Sequence, residues 1–346
     1  CFCDTAHFTG NLPAYLTIAL VLVLTPVLIS CQRAENTDAA GMSDVTDIHY
    51  GLSESTEVLL TAESGEQLSR QNNIGFREGV PQGTRIVIRP DIVKQTIDGI
   101  GTSFTESSAF VLAHLDREKR QEVMDSIYGE DGANFSLART MIGASDFAVK
   151  GRYSYADVRG DTDLKHFSIA PDREGFPVDE YPGVKDTTYD LLPMIEEALA
   201  IKSGQKDSDL KIIASAWTAP SWMKDIEDWY IPGSEENNWQ GTGGELKLEY
   251  IPVYADYLTR YLDAYREEGV DIWGLTPVNE PLGNSGQWES MHFTADSQRD
   301  FIRDHLGPAL VDSGNERVSL LMLDHSRAHL EEWADLIYSD PDTARY

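Results

Sequence analysis

The chain has 346 residues, of which 41% are hydrophobic and 10% aromatic, enough to bury a large core. Its 58 acidic against 28 basic residues give a formal net charge of −30, which excludes nucleic acid as a partner because the phosphates would repel it. The three cysteines, Cys1, Cys3 and Cys31, all lie at the start, so nothing after Cys31 can form a disulfide, a thiol nucleophile or a cysteine metal site.

Residues 1–31 read as a signal peptide. Leu16–Ile29 is apolar apart from Thr17, Thr25 and Pro26. That is too short to span a bilayer, which needs about 20 residues. The segment ends in Leu28-Ile29-Ser30-Cys31, similar to a bacterial lipobox. It predicts lipid attachment at Cys31 and an exported envelope protein that meets the membrane only through that lipid. No Lys or Arg precedes Leu16 and the first residue is Cys, so a truncated or mis-set start is expected. Residues 32–46 are small and polar, like a linker. Residues 47–94 predict a small β element, with strands at Glu57–Thr61 and Arg85–Ile88 and turn residues between them.

From Gln95 to Tyr346 strands and helices alternate, the pattern of a parallel sheet. The strand candidates are Thr96–Gly101, Phe135–Ile142, Lys211–Trp217, Ile272–Val278 and Val318–Leu323. The helical patterns are Arg117–Tyr128, Tyr189–Ile201, Tyr250–Gly269, Ser297–Leu310 and Ala328–Tyr338. Residues that carry chemistry follow nearly every strand: Thr105-Glu106, Ala144-Ser145-Asp146, Trp217-Thr218, Asn279-Glu280 and Asp324-His325. An open sheet would gather such groups at a switch point, whereas a (β/α)8 barrel rings them around one face. The predicted fold is therefore α/β, an incomplete (β/α)8 TIM barrel with a gap where three strands belong.

The most informative stretch is Leu275-Thr276-Pro277-Val278-Asn279-Glu280-Pro281. A carboxylate at the C-terminal tip of a buried parallel strand is where such barrels keep catalytic groups. Asn279 beside it can hold a sugar hydroxyl. Pro281 is expected to keep Glu280 extended. The plainer reading is a solvated strand-end Glu. Glu106, at a helix start, reads as a structural partner of the helix dipole. His325 and His329 have i, i+4 spacing, but no Glu follows the first His as a metalloprotease pattern requires, so no metal is expected. Neither a Gly-x-Ser-x-Gly elbow nor a phosphate loop is present, and no cofactor is expected. Trp222, Trp229, Trp239 and Trp288 fall in loops on the presumed substrate side.

Six blocks resemble glycoside hydrolase family 30, which includes glucosylceramidase. They are Gln95–Gly101 with Phe104–Ala109, Leu137–Phe147, Tyr153–Asp157, Ala214–Lys224, Thr276–Pro281, and Phe293–Ile302 with Leu321–Asp324. The resemblance runs from about Glu57 to Tyr346. At Gly101-Thr102 the family commonly has two glycines. The resemblance implies a retaining mechanism with two carboxyl groups about 5–5.5 Å apart. It assigns the acid/base to Glu280 and a sugar 2-hydroxyl contact to Asn279. It assigns outer hydroxyl contacts to Asp146 and Trp217, and a place beside the nucleophile to Arg139. The family nucleophile is a Glu on a seventh strand, which this sequence does not supply, so a C-terminally truncated fragment is expected. Glu106 and Glu289 are the fallback carboxylates. A monomer acting on a carbohydrate or glycolipid is expected. A terminal β-glucoside is preferred over a β-1,6-glucan, a xylan or a β-fucoside, and a non-catalytic sugar-binding lipoprotein is the alternative from another class.

Overall fold

The computed structural model describes residues 55–75, 82–84, 86–206 and 208–346. The expected leader, linker and lipidation residue Cys31 lie outside the described residues. The chain divides into a unit of residues 1–93 and a unit of residues 94–346.

In the first unit β1 (Ser55–Thr56), β2 (Leu59–Leu60), β3 (Ser69–Arg70) and β4 (Ile74–Gly75) form two short antiparallel pairs, β1 with β4 and β2 with β3. The strand expected at Arg85–Ile88 does not form over its described residues. Ile86, Val87 and Ile88 are 76%, 58% and 61% exposed and pair with no strand among the described residues. A β-branched run supplies propensity, but a strand also needs a neighbour for its backbone bonds.

The second unit is built on a parallel sheet in simple sequence order: β5 (Gly101–Ser103), β6 (Leu137–Ile142), β7 (Lys211–Ala216), β8 (Gly274–Thr276) and β9 (Ser319–Leu320). Helices α1 (Glu106–Ala113), α2 (Arg117–Tyr128), α3 (Leu191–Ser203), α4 (Ile251–Glu267), α5 (Ala295–Phe301), α6 (Gly307–Asp312), α7 (Leu330–Tyr338) and α8 (Pro341–Ala344) lie between and after the strands. These are five of the eight strands of a (β/α)8 barrel.

The first barrel strand begins at Gly101, where the expected strand ended. A Cβ on Gly101 would lie 1.5 Å from the Leu137 carbonyl oxygen, so only glycine lets the two chains meet there. Before it, Ile97 and Ile100 are exposed and lie outside the strand, although the Ile100 carbonyl accepts from Ser136 N at 3.1 Å. Helix α1 is added to the five expected helices, capped by Thr105, whose hydroxyl accepts from Ser108 N at 3.0 Å. The helix expected at Ser297–Leu310 is broken by a π turn at Ile302–Leu306. Pro308 stands near the start of α6 without an N–H, and its ring would clash with the carbonyl four residues back, which widens the ladder.

The core lies between the sheet and its helices. Helix α4 follows its expected stripe: Tyr254, Tyr257, Leu258, Tyr261, Leu262 and Tyr265 are all buried. Each buried ring adds roughly 1.5–3 kcal/mol relative to exposure. Their hydroxyls require partners. Tyr155 and Tyr265 both donate to Asp172 Oδ2 at 2.6 Å, and Tyr153 donates to Oδ1 at 3.1 Å. Burial still pushes the Asp172 carboxyl up to about 7.

Candidate active site

Strand alternation places Arg139 and Met141 of β6 on the same side, Met141 opposite Ser215 of β7, and Ser215 opposite Thr276 of β8. These side chains meet at the C-terminal ends of the strands. Asp324, just past β9, completes the group. Its Oδ2 accepts from Arg139 Nη2 at 2.6 Å, Ser215 Oγ at 2.8 Å and Thr276 Oγ1 at 3.1 Å. Arg139 Nε donates to Ser215 Oγ at 3.1 Å and Nη2 donates to Asn279 Oδ1 at 2.8 Å. The Arg139 guanidinium lies over the Trp217 ring, 4.6 Å from its centroid. Trp217 Nε1 donates to Asp146 Oδ1 at 2.9 Å. One connected network thus joins four of the five expected site residues, Asp146, Trp217, Arg139 and Asn279, and carries the chain to the threshold of Glu280.

Glu280 is held by its backbone. Its N–H donates to the Asp324 carbonyl at 2.8 Å, and its own carbonyl accepts from Gly283 N at 2.8 Å in a tight turn. Asn279 N is tied in turn to the Ala216 carbonyl at 2.6 Å. The expectation of an extended Glu280 is not met: its φ is +50°, in the left-handed region. Pro281 disfavours the right-handed helical region for the residue before it, and the two hydrogen bonds then select the turn. A non-glycine residue there costs of order 1–3 kcal/mol, and surrounding bonds must over-determine it.

The Glu280 side chain is partly buried, its Oε2 is enclosed and has no hydrogen-bond partner, and it enters no ion pair among the described residues. Burial raises its pKa above the ordinary glutamate value. Charge on His325 opposes that rise, Asp146 adds to it, and the Trp288 indole N–H opposes it in smaller measure. Asp146 is raised as well. Desolvation at the mouth is the main cause, the Trp217 N–H opposes it, and the nearby Glu289 reinforces it. The arrangement therefore presents a carboxyl that keeps its proton to higher pH than a free glutamate, next to an amide and a carboxylate suited to sugar hydroxyls.

The remaining expectations sort by geometry. Trp217 is 3% exposed, with its N–H already committed to Asp146 and one face covered by Arg139, so it is a supporting wall and not an open stacking platform. Trp222 is buried and donates to the Ala156 carbonyl at 2.7 Å, a packing role. Trp239 is exposed and Trp288 is the one near Glu280. Glu106 is 1% exposed and accepts from the backbone N–H groups of Val149 and Lys150, which keeps it structural. His325 Nδ1 takes the Ser326 N–H and His329 stands beside Glu332. Among the described residues no His, Cys, Asp and Glu group could hold a metal ion. Sequence reasoning named Asp324 without giving it a role and gave none to Ser215 or Thr276. Asp324 carried a signal, its place at a strand tip. The two hydroxyls are identifiable only once strand register is known.

Residues 97–346 match the Glycosyl hydrolase family 30 TIM-barrel domain. The chain belongs to glycosyl hydrolase family 30. It is 33% identical over 293 residues to putative glucosylceramidase 1 of Caenorhabditis elegans, covering 83% of this chain and 50% of that protein. It is 29% identical over 297 residues to an endo-1,6-beta-D-glucanase of Neurospora crassa, covering 86% of this chain and 53% of that one. The structure of SrfJ from Salmonella typhimurium superposes with a TM-score of 0.65 at 25% identity, covering 80% of this chain and 55% of that chain. The family 30 chain thus spans about half the length of the relatives it matches. The incomplete barrel and the family expected from the six sequence blocks are both met.

Proposed function

We propose that the complete family 30 protein is a retaining β-glycosidase of glucosylceramidase type that removes a terminal β-glucoside. The observation that carries this reading is Glu280, half-buried at a strand tip with a raised pKa and a free enclosed oxygen, beside an Asn279 held by Arg139. In the first step a nucleophilic carboxylate attacks the anomeric carbon while Glu280 gives its proton to the departing oxygen. In the second, Glu280 takes a proton from the water that releases the sugar. Asn279 would hold the 2-hydroxyl, and Asp146 would hold outer hydroxyls, supported by Trp217. Arg139 would favour the ionised nucleophile, which the family resemblance assigns to a seventh strand. Of the two fallback carboxylates, Glu106 is committed to backbone amides and Glu289 is paired with Arg152.

The test is Glu280→Gln in the complete protein. On an alkyl glucoside with a poor leaving group, kcat/KM is expected to fall by roughly 10²–10⁴, the range of general acid catalysis. On a dinitrophenyl glucoside the first step needs no proton, and the loss is expected to be far smaller. Equal losses on both would remove Glu280 from the acid/base role. A second reading, β-1,6-glucan cleavage, is favoured by the endo-1,6-glucanase relative at nearly the same identity as the glucosylceramidase relative. A substrate panel separates the two. We also propose lipid attachment at Cys31 and location at a bacterial envelope. The apolar segment Leu16–Ile29 and the block Leu28–Cys31 support it. Fatty-acid labelling that persists in Cys31→Ala would overturn it.

A further inference from the structure

Glu280 stands at the head of a loop that runs from Pro281 to Phe293. The ends of the loop meet where Phe293 N donates to the Pro281 carbonyl at 2.8 Å. Inside it, Asn284 Oδ1 accepts from Gly286 N at 3.0 Å, Gln287 N at 3.2 Å and Ser290 Oγ at 3.3 Å, and Asn284 Nδ2 donates to the Trp288 carbonyl at 3.2 Å. One amide side chain therefore winds the loop into a single piece. The Glu280 backbone belongs to that piece, because its carbonyl takes the Gly283 N–H at 2.8 Å.

The piece is docked against the loop that follows β7. His292 N donates to the Gly244 carbonyl at 2.8 Å. Two glycines let the chains approach along this seam. A Cβ on Gly286 would lie 2.1 Å from the Ile231 carbonyl oxygen, and one on Gly243 would lie 2.3 Å from Ser290 Oγ and 2.5 Å from the Ser290 carbonyl oxygen.

A buried cation spans the seam. The Lys224 ammonium donates to the carbonyls of Trp229 at 2.7 Å and Gly243 at 2.8 Å, both on the β7 loop, and of Ser290 at 2.9 Å on the β8 loop. Lys224 is 0% exposed, and no carboxylate among the described residues pairs with it at salt-bridge distance. An ammonium has three N–H donors, and here all three are spent on these carbonyls. The root of the side chain is fixed as well. Lys224 N donates to the Ser221 carbonyl at 3.2 Å, and on either side Lys247 N donates to the Met223 carbonyl and Asp225 N to the Glu245 carbonyl, each at 2.9 Å. An apolar side chain would fill this space without the cost of burying a charge. What the ammonium adds is a set spacing between the two loops.

We propose that Lys224 is a positioning residue for the acid/base step: by tying Ser290 to Trp229 and Gly243 it fixes the loop that leaves Glu280, and with it the reach of the Glu280 carboxyl to the departing oxygen. The inference rests on the glycosidase reading of Glu280 and adds to it the residue that holds the acid in place. The left-handed φ of Glu280 persists only where surrounding bonds over-determine it. One of its two backbone bonds goes to Asp324 and the other to Gly283, inside the tied loop. Without the ammonium the loop keeps its internal bonds and its His292 contact, but Ser290 is released, and the carboxyl moves as the loop moves.

The test is Lys224→Met in the complete protein, a change that keeps an unbranched side chain and removes the charge and its donors. The measurement is kcat/KM on an alkyl β-glucoside, whose departure needs the Glu280 proton, and on a dinitrophenyl β-glucoside, whose departure does not. A displaced acid is expected to cost roughly 10–100-fold on the alkyl glucoside, up to the loss that follows a misplacement of about 1 Å, and less than about 3-fold on the dinitrophenyl glucoside. A residue that served only the stability of the fold would lower both by one factor, in proportion to the folded fraction. Gly243→Ala forces the same seam apart while leaving the ammonium in place. It is expected to give the same split and carries the test if Lys224→Met does not fold. Equal losses on the two substrates, or no loss on either, overturn the positioning role and, with a wild type that hydrolyses both, leave the glycosidase reading standing. A wild type inactive on both overturns the two together.

Discussion

The family 30 chain contains two clusters of buried charge that differ in how completely they satisfy themselves. In the first, Lys150 pairs with Asp190, which is fully buried and also accepts from the N–H groups of Gly175 at 2.8 Å and Leu191 at 2.9 Å. Lys150 donates further to the Pro171 carbonyl at 2.7 Å, and its ammonium lies 3.6 Å from Glu106 Oε1, which has no hydrogen bond of its own. In the second, at the strand tips, Arg139 and Asp324 pair at 2.6 Å, yet their side chains remain 29% and 25% exposed. Glu280 beside them has neither a cation partner nor a bond to its enclosed oxygen. Both clusters fasten loops to the sheet. The first spends every charge on the fold. The second leaves Glu280 without a cation among the described residues, whereas Glu106 has Lys150, and the proposed reading places the substrate at that carboxyl.

The contrast can be broken from the active-site side first. In the proposed acid role Glu280 must be protonated, and its raised pKa favours that form to higher pH than in a free glutamate. Activity on poor leaving groups should therefore hold at acidic pH and fall as pH rises through that pKa. In Glu280→Gln the alkaline limb should disappear along with roughly 10²–10⁴ of the rate, as a pH profile of kcat/KM would record.

The self-satisfied cluster should respond in stability instead. Lys150→Met leaves Asp190 and Glu106 buried without their cation and should destabilise the protein by about 3–5 kcal/mol. Thermal unfolding measures this. Turnover per folded molecule should be unchanged at a temperature where the variant remains native.

Asp324→Asn lies between these extremes. It keeps the shape but removes the charge that faces Arg139, so Arg139 and Asn279 lose a fixed position. A displacement near 1 Å at a reacting centre costs about 10²-fold in rate. The loss should appear in kcat more than in KM, with little change in unfolding temperature, because the group is partly solvated. An equal fall in stability would place Asp324 with the structural cluster.

The smallest effect is expected at the tyrosine shell. Tyr265→Phe removes one of the two 2.6 Å donors to Asp172 Oδ2 and should cost about 1 kcal/mol. A calorimetric Tm shift would show it, and activity should not change.

Much of this chain was open to reading before any tertiary contact was known. The tyrosine and leucine stripe of α4 repeats at helical spacing, and burial follows because an amphipathic helix has one way to face a sheet. Asn279 and Glu280 were recognisable because a strand that ends in a carboxylate before proline is a short, local pattern. The first barrel strand was misplaced because its position depends on Leu137, 36 residues beyond Gly101 and paired with it only in the sheet. The π turn at Ile302–Leu306 and the left-handed φ of Glu280 also escaped, since each is settled by hydrogen bonds to partners that local propensity does not specify.

The sequence by itself determined the alternation of strands and helices, the acid at the tip of β8 and the membership in the family, because each is written in neighbouring residues. Tertiary structure alone decided that Arg139, Ser215 and Thr276 converge on Asp324, that Trp217 supports Asp146, and that Arg152 crosses to Glu289. Those contacts join residues from 48 to 185 positions apart, and parallel strands bring them together only when register and twist are set by the whole sheet.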